Sequence, residues 1–228
     1  MNQKADSIRQ GLKTPRAAAI AGILFSLLLT GSMLLIRTSI PKDPLAAVAD
    51  VLRESKQVSL ALDLLPFAGI SFLWFVGVLR DRIGQLEDRF FATVFLGSAL
   101  LLLAMIFTAA SVAGALVRLL LGSGSENVLG PGAYALARLQ IYQTMNTYAI
   151  KMGGVFMIST STIALRTRIV PRWMAFLGFP LALTLLLTVG TIDWILLVFP
   201  VWVFSISVYI LIDNLRAASG LAAAAAKE

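Results

Sequence analysis

The chain has 228 residues, 58% of them hydrophobic and only 14% charged, with a mean hydropathy of +0.86, a balance that excludes an ordinary soluble domain. Its net charge of +7 would suggest nucleic acid as the partner of a soluble protein, but here the basic residues fall between long apolar runs, where they orient a membrane protein instead. The lack of cysteine and histidine removes disulfides, thiolate nucleophiles and the usual zinc and haem ligands.

Six apolar runs are long enough to cross a hydrocarbon core of about 30 Å. They lie at about 17–36, 58–79, 91–117, 142–165, 174–191 and 194–212, which predicts an all-α, six-helix transmembrane bundle forming one domain over 1–228. The first run is longer than the apolar stretch of a signal peptide, so it reads as an uncleaved span. Between the first two spans, DPLAAVADVLRESK offers Asp43 as a cap, Pro44 at the first helical position, and Leu45, Val48 and Leu52 on one face. This predicts a short amphipathic helix lying on the outer interface. The glycine-rich GSGSENVLGPG at 122–132 reads as a mobile outer loop, and residues 215–228 as a low-complexity cytoplasmic tail.

Orientation follows from the basic residues. Lys4, Arg9, Lys13, Arg16, Arg80, Arg82, Arg89, Arg166, Arg168, Arg172, Arg216 and Lys227 fall on one side, against Arg37, Lys42, Arg53, Lys56, Arg118 and Arg138 on the other. The positive-inside rule then predicts both termini in the cytoplasm.

Two stretches, TPRAAAIAGILFSLLL and RTRIVPRWMAFLGFPLALTLLLTVGTIDWILLVFP, resemble small uncharacterised six-helix bacterial inner-membrane proteins, most specifically at Pro171, Arg172 and Trp173. The resemblance implies a bacterial plasma membrane and carries no activity. The two stretches also resemble each other, since Pro15-Arg16, Ala19 and Gly22 have the spacing of Pro171-Arg172, Ala175 and Gly178. Either an old duplication or the ordinary demands of a helix start explains that match. The small residues Ala18 with Gly22, Ala110 with Gly114 and Ala149 with Gly153 would permit close helix packing.

Within NTYAIKMGGVF, Lys151 lies well inside the fourth span. With a regular helical period, Gln140, Gln143, Thr144, Thr147 and Tyr148 share its face and form a polar stripe descending from the outer surface. Asp63, three residues before Pro66, is the other ionisable group inside a span and lies at a similar depth. Because an isolated charge in hydrocarbon costs at least roughly 3 kcal/mol, the pattern predicts an Asp63–Lys151 ion pair joining the second and fourth helices. The alternative is that Lys151 stretches alone toward the interface.

Catalytic signatures are weak. GSGSE stops short of a nucleophile elbow, one deep carboxylate is too few for aspartyl chemistry, and Ser159 stands roughly 80° and 12 Å from Lys151 along a straight helix. The sequence therefore predicts a protein that is not an enzyme and has no cofactor or metal. It would bind a small or lipidic ligand or a partner protein at an outer-half polar cavity formed by Asp63, Lys151, Gln140, Gln143, Thr147 and Tyr148. Membrane lipids are expected partners and nucleic acid is not. The alternatives are a small-molecule or proton-coupled transporter, and an accessory subunit of a membrane complex that docks through Trp202 and the aromatic sixth helix.

Overall fold

A computed structural model describes residues 2–39, 44–83, 89–122, 131–167, 170–188 and 193–225, and every extended element among them is helical. The helices are α1 (Asn2–Ser39), α2 (Pro44–Ile83), α3 (Arg89–Gly122), α4, α5 (Arg172–Leu187) and α6 (Val198–Ala225). A 3-10 turn, Asp193–Leu197, leads into α6, and α4 runs without interruption through Pro131–Gln143, a π-helical Thr144–Ala149 and Ile150–Thr167. Asp43, most of the glycine-rich loop and residues 226–228 lie outside the described residues.

Five helices are long and apolar enough to cross a membrane, over Arg16–Leu35, Lys56–Arg80, Phe90–Leu119, Gly132–Thr167 and Trp194–Arg216. The sixth, α5, has 16 residues and so spans only about 24 Å, short of a typical core. The expected extension of this helix to 191 is cut off at Thr188, whose extended backbone (ψ 129°) ends the helical path. The stretch expected to lie separately on the interface is instead the beginning of α2: Pro44–Ile83 is one continuous helix of 40 residues. The side chains of 44–55, Leu45, Val48 and Leu52 among them, lie outside those described. The fourth helix likewise begins eleven residues earlier than expected, at Pro131, a residue suited to a first turn.

Contacts at shared levels establish how the helices run. Gly22 of α1 meets Phe75 of α2 and Ser207 of α6, while Gly178 of α5 meets Ser161 of α4. Each of these residues is five to nine positions from an arginine (Arg16, Arg80, Arg216, Arg172 or Arg166), which places those five arginines at one end of the bundle, the basic end. There the Arg166 guanidinium lies 4.9 Å from the centre of the Phe91 ring and ties the end of α4 to the start of α3.

In the middle, five helices converge on phenylalanine. Phe25 of α1 lies 4.5 Å from Phe72 of α2, Phe72 lies 5.2 Å from Phe156 of α4, and Phe156 lies 4.9 Å from Phe95 of α3 and 5.9 Å from Phe199 of α6 (ring centres). All five rings are buried. Lipid is as apolar as these side chains, so close contact and ring geometry rather than escape from water hold the helices together, at roughly 0.5–1.5 kcal/mol per ring pair beyond area. α5 stands outside this cluster and packs chiefly on α4 through Met174, Ala175, Gly178, Ala182 and Leu185.

Most hydroxyls within the spans donate to the carbonyl four residues earlier, as Ser26 does to Gly22, Ser71 to Phe67, Thr160 to Phe156 and Ser205 to Val201. This leaves the apolar outer surface unbroken over long stretches, with Ile20, Leu27, Phe67, Trp74, Phe90, Leu136 and Phe176 all exposed. Trp173 and Trp194, near opposite ends of the bundle, are exposed as well, the position of aromatic side chains at membrane interfaces.

Candidate functional site around Lys151

The π-helical segment decides where Lys151 points. The Ile150 N–H bonds to the Met145 carbonyl, five residues back, and the Asn146 amide donates to the Tyr142 carbonyl at 3.2 Å, drawing on an acceptor of the helix ladder. Such a segment carries about one residue more per turn, so the part of α4 beyond it is rotated by roughly 100° relative to an unbroken α-helix. The burial pattern records the slip. Tyr134, Ala137, Ile141 and Thr144 turn inward at spacings of three and four. Tyr148, the next position in that series, is 59% exposed, and Ala149, at 2%, takes the inward place.

The polar stripe therefore does not run on to the lysine as one cavity wall. Gln140 and Gln143 are exposed. The Gln140 side-chain amide donates to the Thr144 hydroxyl at 3.4 Å and the Thr147 hydroxyl to the Gln143 side-chain oxygen Oε1 at 2.9 Å, so these side chains partner one another along the helix surface.

Lys151, half-buried, reaches the neighbouring helix: its Nζ donates to the Leu186 carbonyl at 2.9 Å. The last four carbonyls of a helix have no partner within it. In α5 the Thr184 carbonyl accepts from both the N–H and the hydroxyl of Thr188, at 3.0 and 2.7 Å, and Lys151 serves Leu186. The ammonium thus sits at the negative end of α5, a favourable place for a cation. What brings the two helices near enough is the residue three positions on. A Cβ on Gly154 would lie 3.0 Å from Leu186 Cγ and 3.1 Å from the Ala182 carbonyl oxygen, so only glycine admits the α5 backbone here. Gly153 faces the other way, toward Phe199.

The expected Asp63–Lys151 ion pair is not formed. Asp63 is exposed on α2, and no described side chain lies within hydrogen-bonding or ion-pairing distance of it. The physical reason is that depth alone does not set direction: Asp63 lies on the exposed face of α2, while Lys151, beyond the slip in α4, is turned onto α5. Lys151 and Asp63 nevertheless lie at similar heights, fifteen residues from Arg166 and seventeen from Arg80, about 23 and 26 Å from the basic end. Trp202, expected on an outer docking face, is 3% exposed and lies between α4, α5 and α6.

Nearer the basic end is a feature that the sequence pattern marks only in part. Cβ atoms on Gly22 and Gly178 would collide with the hydroxyls of Ser207 and Ser161, so each serine rests directly on a neighbouring helix's backbone. Among the described residues neither hydroxyl has a conventional hydrogen-bond partner, and the Trp202 indole N–H beside Gly178 has none either. Weak Cα–H···O contacts are what such an approach offers a hydroxyl. The repeated Pro-Arg-x-x-Ala-x-x-Gly spacing marks the glycines, but nothing in it marks the serines.

The fold and this site define a helical protein with helices of membrane-crossing length. Comparison with protein families, with curated proteins and with solved structures found no match to the chain.

Proposed function

We propose that the chain is a non-catalytic, multi-pass protein of a bacterial inner membrane, with both termini cytoplasmic, that binds a small or lipidic ligand with an anionic head at Lys151. One observation carries this reading: the Lys151 ammonium is held by a neutral carbonyl, and no described carboxylate lies within ion-pairing distance of it. At about 23 Å from the basic end, a full positive charge in the outer part of the core calls for a counter-charge. A phosphate or carboxylate supplied from the outer leaflet provides one, with its tail along the exposed Leu183 and Leu187 of α5. Tyr148 stands one turn before the lysine in sequence, while Gln140, Gln143 and Thr147, whose side chains bond along the surface of α4 before the slip, and Asp63 on α2 have no part in the site. The phenylalanine centre favours binding over transport, because a path along the axis would have to part rings from five helices.

The test is native mass spectrometry of the protein taken from nanodiscs of phosphatidylcholine with phosphatidylglycerol. The parent should retain one phosphatidylglycerol through delipidation, and Lys151→Met should retain none. Equal retention by the two would overturn the reading.

A further inference from the structure

The second charge in the outer half poses a separate problem from Lys151. Asp63 is on the exposed face of α2, in a row with Leu60, Phe67, Ile70 and Trp74, whose exposures run from 53 to 65%. These five follow one another at spacings of three and four, the spacing of a seam along which a second helix packs. About 26 Å from the basic end, the carboxylate is flanked by apolar side chains, whereas ionisable residues at such depth almost always face protein or water. Pro66, inside the same helix, has no N–H to give the carbonyl of Leu62 four residues back, so that carbonyl loses its regular helical donor.

We propose that this face of α2 docks a transmembrane helix of another membrane protein, one that carries a single lysine or arginine in its outer third. The charge states the partner's chemistry: a cation at that height neutralises Asp63, and its remaining N–H groups have the freed carbonyl nearby. Leu60, Phe67, Ile70 and Trp74 set the register on either side. A second copy of this chain fits less well. Its lysine at the matching height, Lys151, is half-buried against α5 and, in the reading above, is where the anionic head binds.

The experiment uses the full chain, donor-labelled and reconstituted in phosphatidylcholine vesicles, with acceptor-labelled synthetic peptides. Each peptide is a leucine–alanine membrane-spanning host with one outer-third position occupied by lysine, methionine or aspartate. The lysine peptide should associate roughly tenfold more tightly than the methionine peptide, and the aspartate peptide should not associate. Asp63→Asn should reduce the lysine peptide to the level of the methionine one, and Asp63→Lys should bind the aspartate peptide instead. Equal binding of the lysine and methionine peptides by the parent would overturn the proposal, and that comparison requires no variant. So would energy transfer between two labelled copies of the chain that vanishes in Asp63→Asn while no peptide binds, since the occupant would then be a second copy.

Discussion

Gly153 and Gly154 are adjacent, buried and chemically identical, yet alanine should affect them with opposite sign. At either position alanine gains intrinsic helix stability, about 0.8–1.0 kcal/mol relative to glycine. At Gly153 the new methyl would meet Phe199 Cδ2 at 3.4 Å and Cγ at 3.5 Å, ordinary contact distances, so most of the gain survives and Gly153→Ala should be neutral to about 1 kcal/mol more stable. At Gly154 it would meet Leu186 Cγ at 3.0 Å, the Ala182 carbonyl oxygen at 3.1 Å and Leu186 Cδ2 at 3.2 Å. The leucine can turn aside, but the carbonyl belongs to the backbone of α5, and the helix must move by several tenths of an ångström. Overpacking of this kind costs roughly 1–3 kcal/mol, which outweighs the propensity gain and leaves a net loss of about 1 kcal/mol. The same displacement would stretch the 2.9 Å bond from Lys151 to Leu186. The assay is thermal or denaturant unfolding of the two variants in one detergent, followed by tryptophan fluorescence. If Gly154→Ala proves as stable as Gly153→Ala, the close approach of α5 at this point is wrong, and with it the reason Lys151 reaches a carbonyl.

Lys151→Met should destabilise by roughly 1–3 kcal/mol, the cost of leaving the Leu186 carbonyl unpaired, whereas Asp63→Asn on the exposed face should change stability by less than about 0.5 kcal/mol. The two effects should add in the double variant, and recovery there would indicate a pair after all. Gly178→Ala should cost roughly 1–3 kcal/mol through its collision with the Ser161 hydroxyl, and Ser161→Ala should not rescue it fully, because the serine Cβ itself would lie 3.2 Å away. A reporter fused after Glu228 or inserted at Gly84 should read as cytoplasmic and one at Gly124 as external, following the asymmetry of basic residues; a periplasmic C-terminus would contradict the proposed orientation.

The apolar runs made the helices legible, since twenty residues without charge have few other fates in lipid. Their ends were less so. Nothing in LTVGTIDW marks Thr188 as the last turn of α5, and the polar character of DPLAAVADVLRESK hid its continuity with α2. The depths of Lys151 and Asp63 could be counted along the chain, because rise per residue hardly varies among helices. The azimuth of Lys151 could not, because one π-helical turn at Thr144–Ala149 moves everything beyond it around the axis, and the period of α2 does not say whether the Asp63 face meets a neighbouring helix. Asn146, with its side chain on the Tyr142 carbonyl, is the residue in that stretch whose chemistry competes with a regular helix. The serines over Gly22 and Gly178 were out of reach for a different reason: each contact joins residues from separate helices, and a period within one helix says nothing of its neighbour.

The inward bonding of the span hydroxyls bears on how the chain enters a bilayer. Ser26, Ser71, Thr108, Thr160, Thr162 and Ser205 each give their proton to a carbonyl of their own helix, so they need no other segment in place. A helix built this way can be released into lipid singly and find its neighbours afterwards, in the two-stage order of membrane folding. Ser161 and Ser207 lack such a partner, and their environment changes only when α5 and α1 arrive with a bare glycine. These two hydroxyls would therefore report assembly rather than insertion, silent while the helices are separate and altered once the bundle closes.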